Sequence, residues 1–527
     1  MHWADHTAQR LRDRGGPQVS CSGITPSGEF HIGHLREILS AEMIHRACLD
    51  GGLESDYVFI VDSMDPLRRV YDFLSDSYLK YIGHPLAYIP APGPDGEPGD
   101  GSTSYAEHFL RPFLEALSQI GVNPKVVMNH ETYESGGFAE SIDNAISMRG
   151  EIREIIEKIS GRELDEDWFP YNPRDSSGSM DGVKVTGYEK PFVSWVDSNG
   201  VEGRSDIRKG DGKLPWRIDW AARWIIHGIT CEPAGKDHGA SGGSYDTGIP
   251  ICRLLGGNPP DKITYEWIQL KGMGAMSSSS GVTVGPMEAL GLVPPEIMRF
   301  VIARSKMGRH IDFDTGASLF RVAEEYERLV ANPPLENEGM SKRQKIAVQT
   351  QNGAIRMSQL ERGANPSDSI GGVSFGHLSF LTQIKNTDEG VWDSLRKSGH
   401  VTGEPSESLV GRLSKMRNWI GGDHFPEDGR IRILTEARDE IREEISEKGV
   451  DLLGELSSTM GDCEWNYEAI EKCIREAFEK IDIPSRDGYI ALYLALLGRQ
   501  FGPRAATIIG EMEREDFVSL AREYSRC

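Results

Sequence analysis

The first part of the chain alternates short apolar segments with amphipathic ones. The segment SDYVFIVDS, residues 55–63, is a continuous apolar run between polar residues, which is typical of a strand buried in a parallel sheet. A shorter strand pattern precedes it at 17–24, and between the two, residues 34–50 carry apolar side chains at helical spacing. This strand–helix–strand order predicts a doubly wound parallel sheet with its functional site at the carboxyl ends of the strands.

The pattern changes twice further along the chain. Residues 165–214 are irregular and Gly-rich, which favours an inserted subdomain over another layer of the sheet. After about Pro295 the strand signals fade and helical patterns continue to the end. We therefore predict an α/β, Rossmann-like front followed by an all-α region. The expected parts are a domain at 1–295 with an insertion at about 150–215, a helical connection at 296–335 and an all-α domain at 336–527.

Composition restricts the class of protein. Of the 527 residues, 38% are hydrophobic and 26% charged, and the formal net charge of −23 argues against a protein coated in basic residues. The longest apolar stretch, YIALYLALLG from Tyr489, is too short for a membrane span. The N-terminal residues have no secretory signal pattern, and the seven cysteines form no C-x-x-C pair. We expect a cytoplasmic protein with reduced thiols and no membrane association.

The stretch GITPSGEFHIGHLREI, from Gly23 to Ile38, carries the first candidate chemistry. A strand, a turn of small residues and a helix start present backbone N–H groups to a phosphate. His31 and His34 lie one turn apart, and their neutral imidazoles would donate hydrogen bonds to phosphate oxygens. Gly33 leaves room for an adenine or a ribose against bare backbone. The alternative is a helix start with two surface imidazoles.

Two later segments strengthen the nucleotide interpretation. GKDHGASGGSYDTG, residues 235–248, follows a strand and offers Asp237, an acidic residue placed to hold ribose hydroxyls. LKGMGAMSSSSG, residues 270–281, is a Gly/Ser-rich loop that would close over phosphates with Lys271. Its alternative interpretation is a flexible linker.

In this order and spacing, HIGH, GKDHGASGGSYDTG and MSSS resemble the signatures of class I aminoacyl-tRNA synthetases, in particular the lysyl enzymes of archaea and some bacteria. The stretches SGITPSG, RIDWAARW, YEWIQLKG, HIDFD and LLGRQFGPR are similar to that family too, so the resemblance covers nearly the whole chain. It implies activation of lysine by ATP with Mg²⁺ to lysyl-adenylate, followed by transfer to the terminal 2′-hydroxyl of tRNA-Lys. Neither step needs a covalent enzyme intermediate, so positioning and electrostatic stabilisation must supply most of the catalysis.

The resemblance implies a set of nucleotide contacts. His31 and His34 would touch the phosphates, Gly33 would face the adenine, and Asp237 would hold the ribose. The second signature would wrap the nucleotide with Met276, Ser277, Ser278 and Ser279. This chain departs from the family by carrying Ala275 and Ser280 where lysines usually flank that signature. We assign Lys271 as the catalytic substitute for the missing ammonium groups.

For the amino acid, the resemblance places five residues around lysine: Gly23, Thr25, Trp220, His238 and Tyr265. Trp220 and Tyr265 would flank the methylenes, and their alternative interpretation is as ordinary core aromatics. A buried ammonium requires a carboxylate, and Asp219, Glu37 and Asp62 remain open as its partner. We take Asp219 as the first choice.

Two rival interpretations remain. Glutamyl relatives carry an arginine ten positions before the first signature histidine, where this chain has Cys21, so glutamate is disfavoured. A tRNA-binding paralogue without lysine activation would explain the missing loop lysines. The inserted subdomain lacks the cysteine pairs with which many relatives hold zinc, so we expect no structural zinc. The sequence leaves the oligomeric state open, a monomer included.

The rear of the chain resembles the family's helical anticodon-binding domain, with 296–335 contacting the tRNA stem. Arginines beside an aromatic residue suit the unstacked bases of a single-stranded loop. A solvated helix face is the alternative. The residues expected to contact tRNA are Arg412, Lys415, Arg417, Arg499 and Arg504, with Trp419 nearby.

Overall fold

The computed structural model describes residues 1–270, 274–275 and 284–526. Contacts between residues divide the chain into two compact units. The first unit comprises 1–290, 295–314 and 333–364, and the second comprises 291–294, 315–332 and 365–527. Residues 333–364 thus pack with the first unit, although the sequence-based division assigned most of them to the rear domain.

Thirteen strands lie in the described residues. They are β1 (Gln18–Ile24), β2 (Ser55–Val61), β3 (Lys125–Met128), β4 (Asn172–Pro173), β5 (Lys184–Glu189), β6 (Phe192–Val196), β7 (Glu202–Asp206), β8 (Gly212–Lys213), β9 (Cys231–Gly235), β10 (Asp261–Tyr265), β11 (Ile268–Leu270), β12 (Gly274–Ala275) and β13 (Ile311–Phe313).

The helices of the described residues are more numerous. They are α1 (Trp3–Arg14), α2 (Ile32–Asp50), α3 (Tyr105–Gln119), α4 (Asn129–Glu134), α5 (Ala139–Ser147), α6 (Arg149–Ser160), α7 (Trp216–Ile226), α8 (Lys236–Gly239), α9 (Ser244–Leu254), α10 (Pro286–Leu292), α11 (Pro295–Ala303), α12 (Ala317–Ala331), α13 (Lys342–Ser358), α14 (Pro366–Ile370), α15 (Phe375–Ile384), α16 (Asp388–Lys397), α17 (Glu407–Gly421), α18 (Asp439–Glu444), α19 (Glu447–Thr459), α20 (Tyr467–Ile481), α21 (Ser485–Leu497), α22 (Ala505–Gly510) and α23 (Arg514–Ser525), with short 3₁₀ turns at Asp76–Tyr81, Leu86–Tyr88 and Glu427–Gly429.

The centre of the first unit is a five-stranded sheet in the order β10-β9-β1-β2-β3, and every pair in it is parallel. This confirms the predicted doubly wound sheet. β1 and β2 run in register from Gln18 opposite Ser55 to Ile24 opposite Val61. The chain leaves β1 towards β2 on one side and later adds β9 on the other. The switch point is therefore at β1 and β9, where the crevice at the carboxyl ends is open to a ligand.

Burial explains why these segments form strands. Residues 57–61 of β2 are all buried, and β-branched and aromatic side chains on both faces stabilise a strand covered on two sides. On one face, α7 and α9 pack around a core that includes Trp224, Tyr245 and Ile251. On the other face, α2 packs against β1 and β2. The residues at the strand ends are thus supported by a sheet that is packed on both faces.

The insertion contains more β-structure than the sequence indicated. Residues 184–206 form an antiparallel sheet in the order β5-β6-β7, and β4 pairs with β8. The predicted absence of strands after about Pro295 is also wrong at one point, because β13 pairs in parallel with β11. In both places the segments are short and have a weak hydrophobic pattern, and pairing with a neighbouring strand stabilises their extended conformation.

The second unit is helical throughout its described residues, as the pattern predicted. Its interior includes Trp419 on α17, whose ring contacts Phe320, Phe375 and Phe425. The Trp419 indole donates a 2.6 Å hydrogen bond to the carbonyl of Thr315. Among the described residues of both units, no helix is long and apolar enough to cross a membrane.

Candidate active site

The two signature histidines form the start of α2. His31 is the N-cap, and its Nδ1 accepts the backbone N–H of Gly33 at 3.1 Å. The backbone N–H of His31 donates to Nδ1 of His34, also at 3.1 Å, which completes a reciprocal cap. The ring centroids lie 4.0 Å apart. Because the amides of Ile32 and Gly33 already have acceptors, the imidazoles rather than free helix amides are the donors available here.

Burial keeps both imidazoles neutral. It lowers the pKa of His31 to about 4 and, together with the neighbouring His31, that of His34 to about 3. Nδ1 of His31 accepts the Gly33 N–H, so the neutral ring of His31 carries its proton on Nε2. Nδ1 of His34 lies within hydrogen-bond distance of both the N–H and the carbonyl of His31, and Nε2 of His34 carries the proton in the tautomer in which Nδ1 accepts. The helix start therefore presents two neutral N–H donors.

Glu37 lies one turn further along α2, beneath the histidines. Its Oε1 accepts the backbone N–H of Gly23 at 2.9 Å, and its Oε2 accepts the Tyr265 hydroxyl at 3.1 Å. Gly23 is near the end of β1 and Tyr265 is the last residue of β10. One carboxylate thus joins two residues that the family resemblance places around lysine.

No Lys or Arg in the described residues forms an ion pair with Glu37. Burial is the main cause that raises the pKa of Glu37 to about 8, and the nearby carboxylates of Glu232 and Asp237 add to it. Glu232 on β9 is only 4% exposed and accepts the Trp224 indole at 2.6 Å. Burial raises its pKa as well. Among the described residues, neither Glu37 nor Glu232 forms an ion pair, although the Arg223 guanidinium is close enough to lower the pKa of Glu232.

The other two candidate carboxylates are already neutralised within the chain. Asp219 pairs with Arg223 Nε and accepts the Tyr133 hydroxyl at 2.5 Å, and Asp62 pairs with the same guanidinium. We call the buried set Asp62, Asp65, Lys213, Asp219 and Arg223 the ion-pair cluster. Because the side chains of this cluster satisfy Asp219, our first choice for the ammonium partner, its charge is already compensated within the chain.

The remaining residues predicted for the amino acid flank this corner. Thr25 donates its hydroxyl to Asp65 Oδ2 at 2.8 Å. The ring of Trp220 lies 5.7 Å from that of His238 and 5.2 Å from that of Trp216, against which it stacks. Trp220 and Tyr265 are both buried, so they belong to the core as well as to the site.

Asp237 and His238 lie on α8, directly after β9. Asp237 is exposed, its carboxylate is 3.4 Å from His238 Nε2, and it is close enough to Glu37 to raise the pKa of that carboxyl. The ends of β1, β9 and β10 thus converge with the start of α2. Lys271 and Met276, Ser277, Ser278 and Ser279 lie outside the described residues. In the described part of the chain, no group of three or more His, Cys, Asp or Glu side chains is arranged to hold a metal ion.

Comparison with known proteins assigns this arrangement to a family. The family model of class I tRNA synthetases (K) matches residues 1–359. The chain belongs to this family.

Proteins similar to this synthetase over their full length include the lysine–tRNA ligase of Thermoplasma acidophilum, which is 35% identical over 98% of this chain and 97% of its own. The enzyme of the same name from Picrophilus torridus is 33% identical over 98% of both chains. That from Methanosarcina barkeri is 36% identical over all of this chain and 98% of its own.

In the helical unit of the synthetase, the residues predicted to contact tRNA fall into two groups. Arg412 is 4% exposed, pairs with Glu327 at 2.8 Å and donates to the carbonyls of Ile370 and Val373. Trp419 is equally buried. Both residues hold the fold together, and we leave them out of the proposed tRNA surface.

The second group is partly or fully exposed, although Arg417 also donates to the carbonyls of Thr382 and Lys385. Lys415 is half-buried, and Arg417, on the same helix, pairs with Asp388 at 2.6 Å. Arg504 is exposed at the start of α22. Arg499 donates to the carbonyl of Asp428 at 2.8 Å, and its guanidinium lies 5.4 Å from the ring centroid of Phe501.

Sequence reasoning missed three residues of the synthetase. Phe501 is 66% exposed, and its position inside the quoted GRQFGPR motif was a usable signal. Glu232 is the one acidic residue of the buried strand β9. A buried acid is expected either to have a function or to pair with another group. Lys213 gave no signal, because it contacts residues far away in sequence.

Proposed function

We propose that this synthetase is a lysine–tRNA ligase that forms lysyl-adenylate and transfers the lysyl group to the 2′-hydroxyl of tRNA-Lys. The observation that carries the proposal is Glu37, a buried carboxyl group that forms no ion pair within the described residues and lies one helical turn after His34, the second of the two neutral imidazoles. A site built this way accepts an ammonium at one end and phosphates at the other.

His31 and His34 would donate their Nε2–H groups to phosphate oxygens of ATP, which enters as its Mg²⁺ complex. Charge grows on these oxygens as pyrophosphate leaves, and neutral donors held by backbone hydrogen bonds need no reorganisation to meet it. Gly33 would face the adenine and Asp237 the ribose hydroxyls. Lys271 and residues 276–279 complete this half of the proposal on the strength of the family signature alone.

Lysine would place its ε-ammonium on Glu37, with Tyr265 holding the carboxylate in position. Glu232 supplies a second negative charge close by, and Trp220 and Tyr265 line the path of the methylenes. His238, Thr25 and Gly23 surround the other end of the amino acid. A cation that binds beside Glu37 gains both Coulomb energy and hydrogen bonds once this carboxyl group has lost its proton.

The helical unit would bind the anticodon loop through Phe501, Arg499 and Arg504, with Lys415 and Arg417 on α17 as further contacts. An exposed aromatic ring beside a guanidinium offers a stacking surface for an unpaired base, and positive charges attract the phosphate backbone. We propose the cytoplasm as the place of action.

Lysine-dependent ATP–pyrophosphate exchange tests the activation step. We expect wild-type exchange with lysine and none above background with glutamate, and His34→Ala should slow adenylate formation at least about tenfold. His45→Ala is the matched control, because His45 lies on the same helix far from its start. If the wild type binds tRNA-Lys but shows no exchange, it is a tRNA-binding paralogue instead.

Binding of a tRNA-Lys transcript tests the helical unit. Phe501→Ala should weaken binding about fivefold or more, since stacking on an aromatic side chain contributes about 1–3 kcal/mol per base. Val410→Ala removes another exposed apolar side chain from the same unit and should leave binding unchanged. Equal effects of the two variants would remove Phe501 from the interface.

A further inference from the structure

The ion-pair cluster lies beside the amino-acid corner and contains one member contributed by the insertion. Asp62 and Asp65 follow β2, and Asp219 and Arg223 are one turn apart on α7. Lys213 instead belongs to β8, the short strand that pairs with β4. The residue is 3% exposed, so a long and charged side chain of the insertion is buried against the sheet domain.

Lys213 reaches the proposed lysine site through one intermediate residue. Its Nζ pairs with Asp65 Oδ1 and lies 3.7 Å from Asp219 Oδ2. The other oxygen of Asp65 accepts the Thr25 hydroxyl at 2.8 Å. Thr25 stands on the turn between β1 and α2, two residues after Gly23, whose backbone N–H binds Glu37. Two consecutive contacts thus connect the insertion with this turn.

The charge balance makes Lys213 necessary for this geometry. The cluster contains three carboxylates and two cations, all buried. Arg223 is already engaged by Asp62 and Asp219, so Lys213 is the cation that Asp65 pairs with. Without it, Asp65 would be a buried carboxylate facing two others, and protonation or a rotation towards solvent would relieve the repulsion. Either change withdraws or reorients the acceptor that fixes Thr25.

We propose that Lys213 is a positioning residue for amino-acid binding, which holds Thr25 in place through Asp65 and so makes the lysine site depend on the inserted segment. The inference rests on the proposed function, because it takes Thr25 as part of the lysine site. Lys213 itself touches no substrate in this scheme. Its loss should therefore act on lysine and leave ATP binding unchanged.

The test compares Lys213→Met, Lys213→Arg and Lys209→Met in lysine-dependent ATP–pyrophosphate exchange. Lys209 is exposed in the same insertion and serves as the matched control. We expect Lys213→Met to raise the KM for lysine about tenfold or more, with the KM for ATP within about twofold. Lys213→Arg should recover most of the loss, because it keeps a cation beside Asp65. The proposal would be overturned if Lys213→Met raised the KM for lysine and the KM for ATP by the same factor. It would also be overturned if Lys213→Arg did not restore the KM for lysine.

A double-mutant cycle gives an answer even where Lys213→Met does not fold. Asp65→Ala and Thr25→Val each remove the contact between the two residues, so together they should raise the KM for lysine no more than the larger single effect. If the two substitutions together raised the KM for lysine by the product of their single effects, the inference would be overturned. A wild type without lysine-dependent exchange removes the proposed function itself, whereas normal wild-type exchange with an unchanged Lys213→Met variant removes only the role of Lys213.

Discussion

Two neighbouring groups of buried carboxylates in the first unit differ in how their charge is met. In the ion-pair cluster, Arg223 and Lys213 pair with all three aspartates. At the start of α2, Glu37 accepts the Gly23 amide and the Tyr265 hydroxyl and has no ion pair within the described residues, and Glu232 accepts an uncharged donor, the Trp224 indole. Both groups lie at the carboxyl ends of the same sheet. Only the second contains a carboxyl group, Glu37, that has no ion pair among the described residues and can bind an incoming cation once it has lost its proton.

This difference separates a structural function from a binding function. A buried charge is costly unless a partner compensates it, and the partner is either part of the chain or part of a ligand. The ion-pair cluster supplies its own partners and stabilises the fold. Glu37 lacks one, and burial therefore raises its pKa to about 8. Buried carboxyl groups thus have two different roles here. Those of the ion-pair cluster stabilise the fold, and that of Glu37 is available to a ligand.

The largest expected effect concerns the ion-pair cluster. Arg223→Met removes the cation shared by Asp62 and Asp219 and should lower the free energy of unfolding by about 3–5 kcal/mol. Urea unfolding followed by circular dichroism measures it. Arg204→Met, which breaks an exposed pair with Glu189, should cost less than about 1 kcal/mol. Similar losses in the two variants would contradict the structural role of the cluster.

Glu37→Gln tests the unpaired carboxylate. The amide keeps the shape of the side chain and removes its charge, so kcat/KM for lysine should fall about a hundredfold or more, equivalent to about 2.7 kcal/mol. The KM for ATP should stay within about twofold. Exchange kinetics measure both values, and Glu54→Gln, an exposed residue of the same unit, is the control. Unchanged lysine kinetics would exclude Glu37 as the ammonium partner.

The pH dependence of lysine binding sharpens the comparison. With a raised pKa of about 8, Glu37 is protonated in the free enzyme at pH 6–7 and must lose this proton to pair with an ammonium. The apparent Kd for lysine should therefore fall about tenfold per pH unit between pH 6 and 7.5, with about one proton released per lysine. Calorimetry in buffers of different ionisation enthalpy measures the release. Glu37→Gln should abolish it.

The smallest effect is on thermal stability. Folding raises the pKa of Glu37. The protonated carboxyl group therefore makes its full contribution to the free energy of unfolding at pH 4, and this contribution is lost as the pH rises through 8. At pH 9 the wild type buries a charge that Glu37→Gln does not, and the variant should melt about 2 °C or more above it. At pH 5 the two should melt together. A difference independent of pH would point to packing instead of charge.

Much of this could be predicted from the sequence. Three features were correctly predicted: the strand at Ser55–Val61, the helix that follows His31 and the helical rear of the chain. Each of them has a strong local pattern or a marked boundary. The sequence could not rank the candidate ammonium partners, since Asp219, Glu37 and Asp62 are equivalent as letters. What separates them is Arg223, which lies one turn from Asp219 but reaches Asp62 only in the folded chain.

The sequence by itself determined much of the local structure: the buried strand at Ser55–Val61, the helix that precedes it in the order strand–helix–strand, and two histidines together at a helix start. The tertiary structure alone decided which carboxylate is left without a cation, that Arg412 supports the helical unit from within, and that Lys213 of the insertion reaches Asp65. The physical reason is that periodicity and capping depend on neighbours along the chain. The compensation of a buried charge depends on neighbours in space.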